Sequence, residues 1–133
     1  ELDRVFTKEE VFQAIKDMKA LAAPGPDGLP AIFYHTHWEV IGKEVTEMVL
    51  NVLNNNGDPS QLNNTYICLI PEINNPALPN DFRPISLCNV TLKIITKTIA
   101  NRIKTILPEV ISPNQSAFIQ ARLITDNTLI ASE

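Results

Sequence analysis

Asn80-Asp81-Phe82-Arg83-Pro84-Ile85-Ser86-Leu87 is the stretch on which the fold of this chain turns. Pro84 has a fixed φ and no backbone N–H, so it suits the edge or the start of a strand, and residues 82–87 are expected to form one. Upstream, Thr65-Tyr66-Ile67-Cys68-Leu69-Ile70 is a continuous β-branched and apolar run ended by Pro71, which predicts a buried strand. A polar loop carrying Pro76 and Pro79 lies between the two runs, so they are expected to pair as an antiparallel hairpin. Two strands alone are marginally stable, and helices or further strands have to cover them. Arg83 stands between an aromatic ring and a proline. A guanidinium held rigidly there can offer its planar fork to a phosphate, or it can pair with Asp81 across a turn.

Outward from the hairpin, the pattern is helical. Thr7-Lys8-Glu9-Glu10 is a capping box, and Val11, Ile15 and Met18 follow at helical spacing with Phe12 beside them, which predicts a helix over about 8–21. Pro30 suits the first turn of a second helix whose face runs through Phe33, His37, Ile41, Val45, Met48 and Val52, with a break or a bend near Gly42 and a stop at Asn54-Asn55-Asn56-Gly57. A third helix is expected from Asn89 to about Leu107, with Ile95, Ile99, Ile103 and Ile106 buried and Lys93, Lys97, Asn101 and Lys104 opposite them. Pro108 and Pro113 then bracket a loop, and Asp126 caps a last helix starting near Asn127.

The 133 residues, 44% of them hydrophobic, suit one domain with a real core. Charge is divided unevenly. Residues 1–82 carry five basic and twelve acidic side chains, a net −7, whereas residues 83–133 carry six and three, a net +3. The second half therefore permits an anionic partner, although a solvated helix face has the same look. No apolar run is long enough to cross a membrane, and the charged start, Glu1-Leu2-Asp3-Arg4, does not read as a signal peptide. Cys68 and Cys88 are accordingly expected as free, buried thiols of a protein of the cytoplasm or nucleus, not a secreted one.

Ala23-Pro24-Gly25-Pro26-Asp27-Gly28 is the sharpest loop. Its glycines could expose amides to a phosphate, but no Lys-Ser/Thr follows, so a rigid connector is the better reading. His35 and His37 are two apart on a helix and diverge, so no metal pair is expected. There is no nucleophile elbow, no oriented Cys/His pair and no metal-ligand cluster; no catalytic residue is assigned.

Five motifs in order say more: Ala-Pro-Gly-Pro-Asp-Gly at 23–28, Leu-Ile-Pro at 69–71, Asp-Phe-Arg-Pro-Ile-Ser-Leu at 81–87, Asn-Gln-Ser-Ala-Phe at 114–118 and Arg-Leu-Ile-Thr-Asp-Asn at 122–127. Together they resemble the N-terminal part of reverse transcriptases from non-LTR (LINE-type) retrotransposons, most like plant members; group II intron maturases fit less well. The resemblance covers nearly the whole chain. It implies that 1–133 is a partial reverse transcriptase domain, the fingers and the start of the palm of a right-hand polymerase, with no complete second domain. The expected fold is α+β, helices packed on a short antiparallel hairpin. The family is an RNA-directed DNA polymerase whose catalytic aspartates hold two Mg²⁺ ions for nucleotidyl transfer. Those aspartates lie downstream of the matched region, so no Mg²⁺ ligand is expected in this chain, and the chain alone is expected to be inactive.

By the same resemblance, Arg83 matches the fingers arginine that contacts the incoming deoxynucleoside triphosphate. Gln115, Phe118 and Arg122 match the segment leading toward the palm. Lys93, Lys97 and Lys104 are possible contacts to nucleic-acid phosphates. The implied partners are an RNA template, a DNA primer and the rest of the polymerase, with no membrane. Three positions depart from the family pattern: Ala22 and Glu72 stand where Lys is common, and Gln120-Ala121 stands where Pro-Gly is common. Glu72 reverses charge at the hairpin, where a carboxylate weakens a phosphate contact. Such departures fit a degenerate element relic, and a non-enzymatic nucleic-acid-binding module is the other alternative.

Overall fold

The computed structural model of the chain describes residues 2–111. Gln115, Phe118, Arg122, the Pro113 side of the expected loop and the helix expected from Asn127 lie outside the described residues. Five main elements follow one another: α1 (Lys8–Lys16), α2 (Ala31–Asn55), β1 (Thr65–Pro71), β2 (Phe82–Cys88) and α3 (Val90–Val110). Three helices and a two-stranded antiparallel sheet make a mixed α+β fold. Asp3–Thr98 forms one compact unit, and Leu2 with the residues from Ile99 onward belongs to a second.

The capping box at α1 forms as expected. Glu10 N–H donates to Thr7 Oγ1 at 3.4 Å, and Thr7 N–H donates to Glu10 Oε2 at 2.9 Å. The helix stops at Lys16 instead of continuing to Leu21. The Ile15 carbonyl, which a continuing helix would give to the Lys19 N–H, accepts instead from Met18 N–H at 3.0 Å and from His35 Nε2 at 2.8 Å. A carbonyl only accepts, so His35 carries its proton on Nε2 here.

Helix α2 begins at Ala31 with Pro30 in extended conformation before it, and closes at Asn56, whose φ of 54° is left-handed. The expected break or bend lies not at Gly42 but five residues earlier. The backbone departs from helical values at His37 (φ −105°, ψ 15°), where the ring Nδ1 bonds the Phe33 carbonyl at 3.0 Å. That carbonyl is the one the residue's own N–H uses in a regular helix, so the side chain competes with the ladder and the helix bends. Gly42 has a packing role instead: a Cβ on it would meet Trp38 Cε2 at 2.7 Å, so its bareness lets the indole lie on the helix backbone. The kink also resets the phase of the buried face. Tyr34, Gly42, Val45, Thr46 and Val49 are buried, while the expected stripe through Phe33, Ile41 and Val52 only flanks them and Met48 is exposed.

The core joins α1, α2 and the first turns of α3 through Val11, Ala14, Ile15, Ala31, Tyr34, Val45, Val49, Val90, Ile94 and Ile95. Burying the valines and isoleucines among them contributes roughly 1.5–3 kcal/mol each. The polar groups within it are matched: Tyr34 Oη and Thr91 Oγ1 are 3.3 Å apart, and Thr98 Oγ1 donates to the Ile94 carbonyl at 2.8 Å. Here the isoleucine stripe needs correction. Ile95 is buried, but the buried face continues through Thr98, while Ile99 and Ile103 are 37% and 40% exposed. Thr98 can face the interior because its hydroxyl is satisfied one turn back. In the second unit Arg102 is buried, with Nη1 donating to the Leu2 carbonyl at 3.2 Å. Pro108 does not end α3 but sits in its last turn, which runs to Val110 and is closed by Ile111 N–H on the Leu107 carbonyl at 3.0 Å.

The hairpin forms with the expected strands and sense. Thr65 faces Cys88, Cys68 faces Ile85, Ile70 faces Arg83 and Pro71 faces Phe82. Its burial is the largest departure from the sequence reading. Strand β1 is exposed, not buried: Tyr66 is 63%, Ile67 70% and Leu69 57% accessible. Side chains alternate between the two faces, and these residues lie on both, so among the described residues no layer covers either face of the strand's middle. Cys68 is likewise exposed and Cys88 partly so, both free thiols, which corrects the expectation that they are buried.

Candidate functional site

Alternation along the ladder puts Cys68, Ile70 and Glu72 on one face of the hairpin with Arg83 and Ile85. Beyond the last strand pair, Glu72 N–H donates to the Asp81 carbonyl at 2.8 Å, so the ladder extends one step and Glu72 is held in register. The result is a direct ion pair: Arg83 Nε donates to Glu72 Oε1 at 2.6 Å, with the arginine side chain 69% and the glutamate 43% accessible. Ile70, Pro71, Glu72, Arg83 and Ile85 line an open cleft there.

Asp81, the partner that sequence proximity suggested for Arg83, is engaged elsewhere. Its Oδ2 accepts from the Ala77 and Leu78 N–H groups, both at 2.8 Å. Those hydrogen bonds, Leu78's first and Ala77's second, hold its carboxyl below the usual aspartate range. Asp81 therefore shapes the hairpin loop, and Glu72 faces the guanidinium. Among the described residues, Glu72 is the hydrogen-bonding partner of Arg83, and it takes the Nε side. The terminal Nη1/Nη2 fork remains available to a planar or tetrahedral anion.

The basic residues of α3 differ in their surroundings. Lys93 Nζ donates to the Ala23 carbonyl at 2.8 Å, Lys97 is partly buried, and Lys104 is exposed. Lys93 is one of the ties that fix the Pro24–Gly28 loop to the junction between β2 and α3. Asp27 N–H donates to Asn89 Oδ1 at 3.2 Å, and Gly25 packs so close to the Cys88–Asn89 backbone that a Cβ would collide with it. Gly28 N–H bonds Gly25 O at 3.0 Å and Leu29 N–H bonds Asp27 Oδ1 at 3.0 Å. Three successive amides are thus used inside the loop or on Asn89, as a rigid connector requires and a phosphate cradle does not.

Sequence reasoning missed a second concavity, between α1 and α2, lined by Phe12, Ile15, Lys16, His35, Trp38 and Glu39. The Phe12 and Trp38 rings stack with centroids 5.8 Å apart, and Lys16 Nζ lies 4.4 Å from the Phe12 centroid. It also missed Asn54, whose side-chain amide accepts from Phe6 N–H at 2.8 Å and donates to Phe6 O at 3.0 Å, pinning the N-terminal arm to the end of α2. The first had a signal in the Trp38/Gly42 spacing of one helical turn; the second had none.

No protein-family model matches the chain. Over 129 residues, 97% of its length, the chain is 30% identical to the transposon TX1 uncharacterized 149 kDa protein of Xenopus laevis. It spans 10% of that relative. The similarity supports a retrotransposon-related origin for this chain.

Proposed function

We propose that the chain is the fingers region, with the start of the palm, of an RNA-directed DNA polymerase of a non-LTR retrotransposon, and that Arg83 contacts the triphosphate of the incoming deoxynucleotide. The motif order and the similarity to a transposon protein support the polymerase reading. The observation that carries the role of Arg83 is its setting: a guanidinium on a proline-stiffened strand, with its terminal fork open to solvent. Its work is to bind and orient phosphate oxygens through charge-assisted hydrogen bonds. Lys93, Lys97 and Lys104 contribute charge toward template or primer phosphates, Lys93 while also donating to the Ala23 carbonyl. Gln115, Phe118 and Arg122 continue toward the palm in this reading. Mg²⁺ supplies the family's phosphoryl chemistry, but among the described residues no three His, Cys, Asp or Glu side chains come together to hold a metal, so no step through it is assigned to them.

The test uses the purified chain and a deoxynucleoside triphosphate. Arg83→Ala is expected to weaken binding about tenfold or more, the range for losing a charge-assisted contact; unchanged affinity overturns the role. The same preparation is expected to give no Mg²⁺-dependent extension of a primed RNA, and detectable extension overturns its assignment as a part without catalytic residues.

A further inference from the structure

We infer that Glu72 sets the anion affinity of Arg83, holding the guanidinium by its Nε edge while cancelling the charge that would draw a polyphosphate to the free end. The inference rests on the reading of Arg83 as a phosphate contact. It deepens that reading by naming the residue that tunes it.

Three observations lead to it. The backbone places the pair, because the Glu72 N–H to Asp81 O bond extends the ladder and puts Glu72 on the arginine's face. The approach is one-sided: Nε is engaged at 2.6 Å, which orients the plane of the group and leaves both terminal nitrogens for a ligand. Among the described residues no second carboxylate bonds the guanidinium, and Asp81 Oδ2 is taken by the Ala77 and Leu78 amides. An anion meeting the terminal fork therefore meets a correctly held donor set beside a fixed negative charge a few ångströms away. At that separation the repulsion offsets much of the arginine's attraction, and because both groups are solvent-exposed the effect fades as salt rises.

Substitutions separate the two parts of the role. Glu72→Gln keeps an acceptor for Nε and removes the charge; Glu72→Ala removes both. With inorganic tripolyphosphate as the probe, at low ionic strength and on the full 133-residue chain, Glu72→Gln is expected to tighten binding about three- to tenfold. Glu72→Ala is expected to gain less, because the guanidinium is no longer held. In an Arg83→Ala background neither change should matter. The substituted side chains are exposed, so far-ultraviolet circular dichroism should report an unchanged fold. If Arg83→Ala weakens binding but Glu72→Gln leaves it unchanged or weaker, the inference is overturned and the phosphate role of Arg83 stands. If Arg83→Ala changes nothing, that role falls and the inference with it. A single-stranded oligonucleotide run in parallel identifies the source of the phosphate: a gain from Glu72→Gln as large as that for tripolyphosphate overturns the assignment to a polyphosphate.

Discussion

The helical layer and the hairpin are built from similarly apolar sequence and end in opposite environments. In the first, Val11, Val49 and Ile94 are fully shielded, and the hydroxyls that share their space are hydrogen-bonded. In the second, Ile67 and Leu69 remain mostly accessible although they stand in the most β-prone run of the chain. The difference teaches that hydrophobicity specifies an element but not its cover. A helix with one apolar stripe finds a neighbour within the same hundred residues, whereas a strand apolar on both faces needs two layers. The hairpin is therefore defined by its ladder, its prolines and its loop, and the helices by their packing.

The sharpest way to break this comparison is a pair of truncations. Ile94→Ala should cost about 2–5 kcal/mol in urea denaturation, because it empties a closed core. Ile67→Ala should stay within about 0.5 kcal/mol, as at an ordinary surface site. Equal costs would mean that the hairpin is covered after all. Next in size, Gly25→Ala should destabilise by about 1–3 kcal/mol, since its Cβ would meet the Cys88–Asn89 backbone, which cannot swing aside as a side chain can. A neutral result would show that the Pro24–Gly28 loop is not clamped at that junction.

The smallest effect is local and pH-dependent. The Asp81 carboxyl is held below its usual range by the Leu78 and Ala77 amides. A depressed folded value means that its contribution is complete above the usual aspartate range and is lost as pH falls through the lowered value. Hydrogen exchange at Ala77 and Leu78, corrected for the intrinsic rate, should accelerate in that acidic window while helical circular dichroism holds steady. Loss of the helical signal at the same pH would deny the hairpin loop its independence.

Much of the fold was legible. The capping box at Thr7, the left-handed close at Asn56 and the strand end at Pro71 are local chemistry, written within a few residues of where they act. What was not legible is non-local. Arg83 looked toward Asp81, two residues away, but the ladder register delivers Glu72, eleven residues away, and the Leu78 turn withdraws Asp81. Lys93 stands in the basic row of α3, and its bond to the Ala23 carbonyl, seventy residues upstream, is equally non-local. The bend at His37 was hidden because nothing in a helical wheel announces that an imidazole will take its own turn's carbonyl. Gly42 was the conspicuous breaker and instead serves the indole of Trp38.

That last contact has an optical consequence. Trp38 is the chain's single tryptophan, and it sits between the Phe12 ring of α1 and the bare backbone of α2 at Gly42. Its emission colour therefore registers whether those two helices are docked, since an indole released to water emits at longer wavelength. The hairpin carries only Tyr66 and Phe82 and is nearly silent in that channel. An unlabelled sample thus reports its core through one fluorophore, and any change seen by the whole backbone but not by Trp38 belongs to another part of the chain.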